Sequence, residues 1–180
     1  MVSITSRCLT FWQVIGIVHY RKLINPQVIT DSVLRRELEY ITRLEINVAF
    51  PFLLQVFEDC ENSIIDQPTL IKILKLIQSF TWRRFIVGLP TAALNKIFMT
   101  LYSEIDHEDY FESLCVALLK KRGSVRFPND QEVRSALRDK DLYNTQSKNR
   151  SYFFELLENH NNREYVNTAS DLITIEHIFP

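Results

Sequence analysis

The chain has 180 residues, 46% hydrophobic and 24% charged, with a formal net charge of -1 and a pI near 6.4. Such a length buries a core of its own without staples, and the near-zero charge excludes a domain whose main task is to grip phosphates through a strong basic field. Only three glycines occur, Gly16, Gly88 and Gly123, which argues against a many-stranded hairpin protein and for helices.

At the start, Arg7 is followed by the apolar run Cys8 to Val18, which invites comparison with an export signal. Gln13 breaks the run, His19-Tyr20-Arg21-Lys22 stands where a small-residue cleavage site is needed, and the run is too short to span a bilayer. It reads as a buried helix, with no membrane partner. Cys8, Cys60 and Cys115 are odd in number, widely spaced and free of any zinc-type pairing, which places the chain in a reducing compartment, the cytoplasm.

Helical spacing then recurs along the chain. Val33, Leu34, Leu38, Ile41 and Leu44 predict a long helix with Arg35, Arg36, Glu39 and Arg43 on its outer face. Pro51 interrupts the pattern before Phe52, Leu53, Val56 and Phe57 open the next helix. Leu70, Ile73, Leu74, Ile77 and Phe80 follow Pro68 at a first helical turn. Leu94, Ile97, Phe98, Leu101, Tyr102 and Ile105 form the clearest stripe, entered through Pro90-Thr91. Phe111, Leu114, Cys115 and Leu118 form another, with Asp106 or Asp109 placed to cap it. Weaker stripes are Val133 with Leu137, and Phe153 with Leu156 and Leu157. Together these predict an all-α, irregular multi-helix bundle of six to nine helices. Past Asn159-His160-Asn161-Asn162 the texture changes: Leu172-Ile173-Thr174-Ile175 reads as a short strand running into Glu176-His177. A strand without a partner at the end of the chain implies truncation.

Three groups of residues carry candidate chemistry. Glu176 and His177 pair a carboxylate with an imidazole, whose pKa suits a general base near neutrality. Arg83 and Arg84 are suited to a phosphate or to a carboxylate on a neighbouring domain; equally, they could pack along Trp82 or Phe80 and pair with a nearby acid. Lys120, Lys121 and Arg122 with Arg126 form the densest basic cluster, placed either to complement the carbonyl end of the preceding helix or to contact DNA. His19, His107 and His160 have no partner at metal-ligand spacing; His19 is placed at a helix end and the other two in loops.

Several segments, in order, resemble one family: Trp82-Arg83-Arg84-Phe85-Ile86-Val87-Gly88-Leu89-Pro90-Thr91 with Leu94-Asn95; Arg126-Phe127-Pro128-Asn129-Asp130; Asp141-Leu142-Tyr143; Tyr152-Phe153; Leu156-Leu157-Glu158; and Leu172 to Pro180. These are the large bacterial proteins with a ParB-like N-terminal domain and a C-terminal HNH nuclease domain, among them the GmrSD-type modification-dependent restriction endonucleases. The resemblance covers roughly residues 30 to 180 and is sharpest over Leu172–Pro180. It implies a helical connecting domain over 1–168, and over 169–180 the first strand of a ββα-metal (HNH) domain. His177 would be the general base and Glu176 a metal ligand for Mg²⁺, Mn²⁺ or Zn²⁺ in the complete parent. The implied partners are DNA, an N-terminal NTP-binding domain and the remainder of the HNH domain. The chain departs from the family by lacking the acidic-Gly-Gln-Gln-Arg segment of the nucleotide site and the further HNH ligands, so no metal is expected bound to it and it is expected to be inactive alone. Two other classes stay open: a non-enzymatic helical interaction module, complete as given, and a stand-alone nucleic-acid-binding domain using the Lys120–Arg126 cluster.

Overall fold

The computed structural model describes residues 16–142, 144–145 and 147–168. Eight α-helices lie among them: α1 (16–24), α2 (Ser32–Arg43), α3 (Phe50–Glu61), α4 (Gln67–Val87), α5 (Ala93–Leu101), α6 (Tyr110–Leu119), α7 (Asp130–Asp139) and α8 (Ser147–Glu158). Short 3-10 turns fill several of the connections, and the described residues contain no strand. The all-α expectation holds. The expected strand at 172–175, the domain start at 169 and most of the apolar run at 8–18 lie outside the described residues.

Helix ends are set by residues visible in the sequence. The Asp31 carboxylate accepts the Leu34 N–H at 2.7 Å to start α2, and Asp66 accepts the Thr69 N–H at 2.9 Å to start α4. Pro51 and Pro68 sit in the first turns of α3 and α4, where the missing N–H costs nothing. The 21-residue α4 stops at Gly88, whose φ of 78° is open to glycine at little cost, and the Leu89 N–H returns to the Arg84 carbonyl at 2.9 Å.

The chain divides into two compact units, Met1–Arg138 and Asp139–Pro180. In the first, α4 is the central element: α2, α3 and α6 all pack against it, and α5 packs on α3 and α6. The stripe Leu70, Ile73, Leu74, Ile77 and Phe80 is fully buried there, as are Leu94, Ile97, Phe98 and Leu101 of α5. Burying each such side chain contributes roughly 1.5–3 kcal/mol, which is why these stripes rather than local propensity fix the helices. Helix α7 has no buried residue, so the Val133 and Leu137 stripe does not join this core.

In the second unit the structure corrects the expected stripe. Leu156 and Leu157 are exposed, while Asn149, Tyr152 and Glu155 are buried among the described side chains of α8. A carboxylate prevails over two leucines at the buried positions because it is fully bonded. Glu155 accepts the Tyr165 hydroxyl, the Thr168 N–H at 3.1 Å and the Thr168 hydroxyl at 3.3 Å.

Candidate functional site

Trp82–Thr91 and Arg126–Asp130, separate in sequence, meet in space. Arg84 points inward from the last turns of α4 and is 2% exposed. Its Nη1 donates to the Arg126 carbonyl at 3.1 Å and its Nη2 to the Pro90 carbonyl at 2.9 Å. Its guanidinium also lies 5.3 Å from the Phe80 ring centroid. Burial, and then the charge of Arg126, lower the Arg84 pKa, but a guanidinium remains protonated under any ordinary condition. Arg83 completes the grip from the surface: Nη1 lies 2.6 Å from Asp130 Oδ1 and donates to the Pro128 carbonyl at 3.2 Å, while the guanidinium stands over Phe127. Phe127 packs on Phe80 with ring centroids 5.3 Å apart. The two arginines therefore clamp the extended strap that leads into α7.

The strap ends in a reciprocal cap. Asn129 Oδ1 accepts the Glu132 N–H at 2.9 Å, and Glu132 Oε2 accepts the Asn129 N–H at 3.0 Å. Glu132 also accepts from Arg126 Nη2 at 2.6 Å, and that bond holds its carboxyl below the usual range.

Of the expected basic cluster, Lys121 pairs with Glu104 at 2.5 Å, Arg122 donates to the Leu119 carbonyl at 2.7 Å, and Arg126 is bound to Glu132. Lys120 is exposed at the end of α6. The cluster is thus largely engaged within its own unit, Arg122 serving the carbonyl end of α6. Arg83 and Arg84 are likewise committed to the strap. Glu176 and His177 lie outside the described residues, and among the described residues no group of three His, Cys, Asp or Glu is arranged to hold a metal ion.

In the second unit the residues preceding position 169 are tied to α8. Asn159 Oδ1 accepts the Val166 N–H at 2.7 Å and its Nδ2 donates to the Val166 carbonyl at 2.8 Å, a side chain standing in for a neighbouring strand. With the Glu155 bonds to Tyr165 and Thr168, this clasp fixes 165–168 against the helix.

Buried polar groups on α3 and α1 had no signal in the sequence. Asp59 on α3 is 4% exposed and accepts the Tyr110 hydroxyl at 2.5 Å and the Tyr102 hydroxyl at 3.0 and 3.1 Å. His19, expected at a helix end, instead lies within α1 and is 1% exposed. Its Nε2 is 2.8 Å from Glu61 Oε2, at ion-pair distance but misaligned for a hydrogen bond, and its Nδ1 has no partner among the described residues. Burial, and then Lys22, lower the His19 pKa; Glu61 opposes them and does not prevail. Unfolded, the ring takes a proton near pH 6.5; folded, it resists until the pH is lower. Its contribution to stability is therefore complete above about pH 6.5 and falls as the pH drops below that value. Urea unfolding from neutral pH down to about pH 5 should show the loss, and His19→Gln should flatten it over that interval. An unchanged slope in the variant would assign the acid sensitivity to other groups.

Comparison with family models, with curated proteins and with solved structures finds no match to this chain. Among the described residues no helix is long and apolar enough to cross a membrane.

Proposed function

We propose that this chain is the helical connecting part of a GmrSD-type bacterial restriction nuclease, joining an NTP-dependent sensor to a metal-dependent HNH domain that hydrolyses modified foreign DNA. One observation carries the reading: the ordered set of segments resembling that family, which ends in Glu176-His177. Two of those segments also form a single mechanical unit, the clamp of Arg83 and Arg84 on Arg126–Asp130. A connecting domain requires such a rigid join, and the clasp of Asn159 and Glu155 on 165–168 supplies a second one directly ahead of the candidate catalytic segment.

In this reading His177 accepts the proton of the attacking water and Glu176 contributes one metal ligand. When bound, the divalent ion stabilises charge on the scissile phosphate and the leaving oxygen. Glu176 is the one metal donor that this reading names, so no metal-dependent step is assigned to the present residues. A cytoplasmic setting fits the free thiols of Cys60 and Cys115.

The test is cleavage by a form extended through the whole nuclease domain, given Mg²⁺, Mn²⁺ or Zn²⁺ and modified DNA. His177→Ala should lower the rate by at least about 10²-fold, the contribution of a general base. Equal cutting by the two forms would sink the assignment and leave a non-enzymatic helical module as the better account.

A further inference from the structure

We infer that the outer face of α7 binds the phosphate backbone of DNA, an inference that takes its choice of polymer from the nuclease reading but stands on the geometry of this helix. Gln131, Arg134, Ser135 and Arg138 are spaced by three and four residues, so one face carries all four, and all four are exposed. With Asp130 they line a common surface groove. Asp130, the acid on that groove, is already neutralised by Arg83 at 2.6 Å.

The two arginines differ from their neighbours. Arg83, Arg84, Lys121, Arg122 and Arg126 each bond to a carboxylate or a carbonyl of their own unit. Arg134 and Arg138 have no hydrogen bond or ion pair with any described residue. Side-chain entropy is lost in holding such groups at one place, and here the reciprocal cap of Asn129 and Glu132 fixes the helix that carries them.

The chemistry of the stripe selects its ligand. Every one of the four side chains donates hydrogen bonds, and a phosphodiester only accepts them. Four residues of helix rise about 6 Å, close to two steps of about 3.4 Å between phosphates along the axis of one DNA strand; Arg134 and Arg138 can therefore serve two phosphates of the same strand. The stripe holds no aromatic or aliphatic side chain, so its two guanidinium groups are its strongest contacts for a ligand. Contacts of this type position a protein on DNA without reading sequence.

The test is fluorescence anisotropy of a labelled duplex of about 20 base pairs with the 180-residue chain, between about 50 and 200 mM salt. Binding is expected to weaken with salt at a log–log slope near -2, for two phosphate contacts. Arg134→Ala with Arg138→Ala should weaken binding at least ~10-fold and remove most of that slope, with the helical circular dichroism unchanged. Lys120→Ala with Lys121→Ala should change binding by less than ~2-fold. The inference is overturned if the unmodified chain shows no salt-dependent binding, if the arginine pair can be removed without effect, if the loss follows the lysine pair instead, or if an acidic peptide of equal charge competes as well as DNA. His177→Ala should bind the duplex like the unmodified chain, so failure of the nuclease assignment and failure of this surface give different results.

Discussion

Arg84→Ala is expected to lower the stability of the first unit by on the order of 3 kcal/mol, against less than about 1 kcal/mol for Arg83→Ala. The two residues are adjacent and contact the same strap, but their surroundings differ. Arg84 is 2% exposed and bonds two carbonyl oxygens, at 2.9 and 3.1 Å. Truncation leaves both acceptors unmet and opens a cavity beside Phe80. Arg83 loses an ion pair whose acid is 72% exposed, and such pairs are well solvated. Two further variants separate the causes. Arg84→Lys keeps the charge but lacks the fork that serves two carbonyls at once, so it should fall between alanine and the unmodified chain. Arg84→Met keeps the packing of the stem and removes the buried charge, so it should be less damaging than alanine. Chemical denaturation measures all four. Equal losses for Arg84→Ala and Arg83→Ala would show that the buried clamp does not hold the strap.

Asp59→Ala should cost a similar amount, on the order of 3 kcal/mol, because it strands the buried Tyr110 hydroxyl and the half-buried Tyr102 hydroxyl where α3, α6 and the end of α5 meet. Tyr110→Phe removes one donor and leaves Tyr102 in place, so about 1 kcal/mol is expected. The same cluster predicts a response to alkali. Burial, reinforced by Asp59, pushes the Tyr102 pKa up to about 12 and raises that of Tyr110 as well, whereas an unfolded tyrosine ionises near 10. Because the folded values are raised, the stability they contribute is complete below pH 10 and is lost as pH climbs from there through about 12. Unfolding free energies taken on either side of pH 10 should show this decline, and Tyr102→Phe with Tyr110→Phe should abolish most of it. If the double variant declines as steeply, the alkaline sensitivity comes from lysines rather than from these phenols.

What could be read from the sequence was what periodicity and capping chemistry determine. Leu70 to Phe80 and Leu94 to Leu101 announced α4 and α5 because a helix of the first unit must bury a continuous apolar face. Pro68 marked the first turn of α4 because its missing N–H costs nothing there, whereas the caps at Asp31 and Asp66 and the stop at Gly88 emerged only in the fold. Polar burial was not legible. Nothing in the spacing of Asp59, Glu155 or His19 distinguishes them from surface residues, since each is buried by partners 10 to 51 positions away in sequence or on another helix. The Phe153, Leu156 and Leu157 stripe misled for the same reason: apolar spacing cannot register that a satisfied carboxylate takes the inward position on α8. Arg83 and Arg84 were legible as a pair of alternatives, and the geometry places both on the strap. The distinction between engaged cations and Arg134 and Arg138, which are unpaired among the described residues, lies in the fold, because a charge count registers how many cations exist and not which are already bound.

Arg84 grips its strap through main-chain oxygens, and every amino acid carries one. The grip is therefore indifferent to the identity of the residues it holds: positions 90 and 126 can change without removing either acceptor, while position 84 has no substitute that offers the same fork. Tolerance to substitution across this join is accordingly one-sided. A saturation library selected only for folding would be depleted sharply at 84 and far more evenly populated at the two positions it touches, so the join could survive extensive drift in the strap and still fail through a single change in the helix.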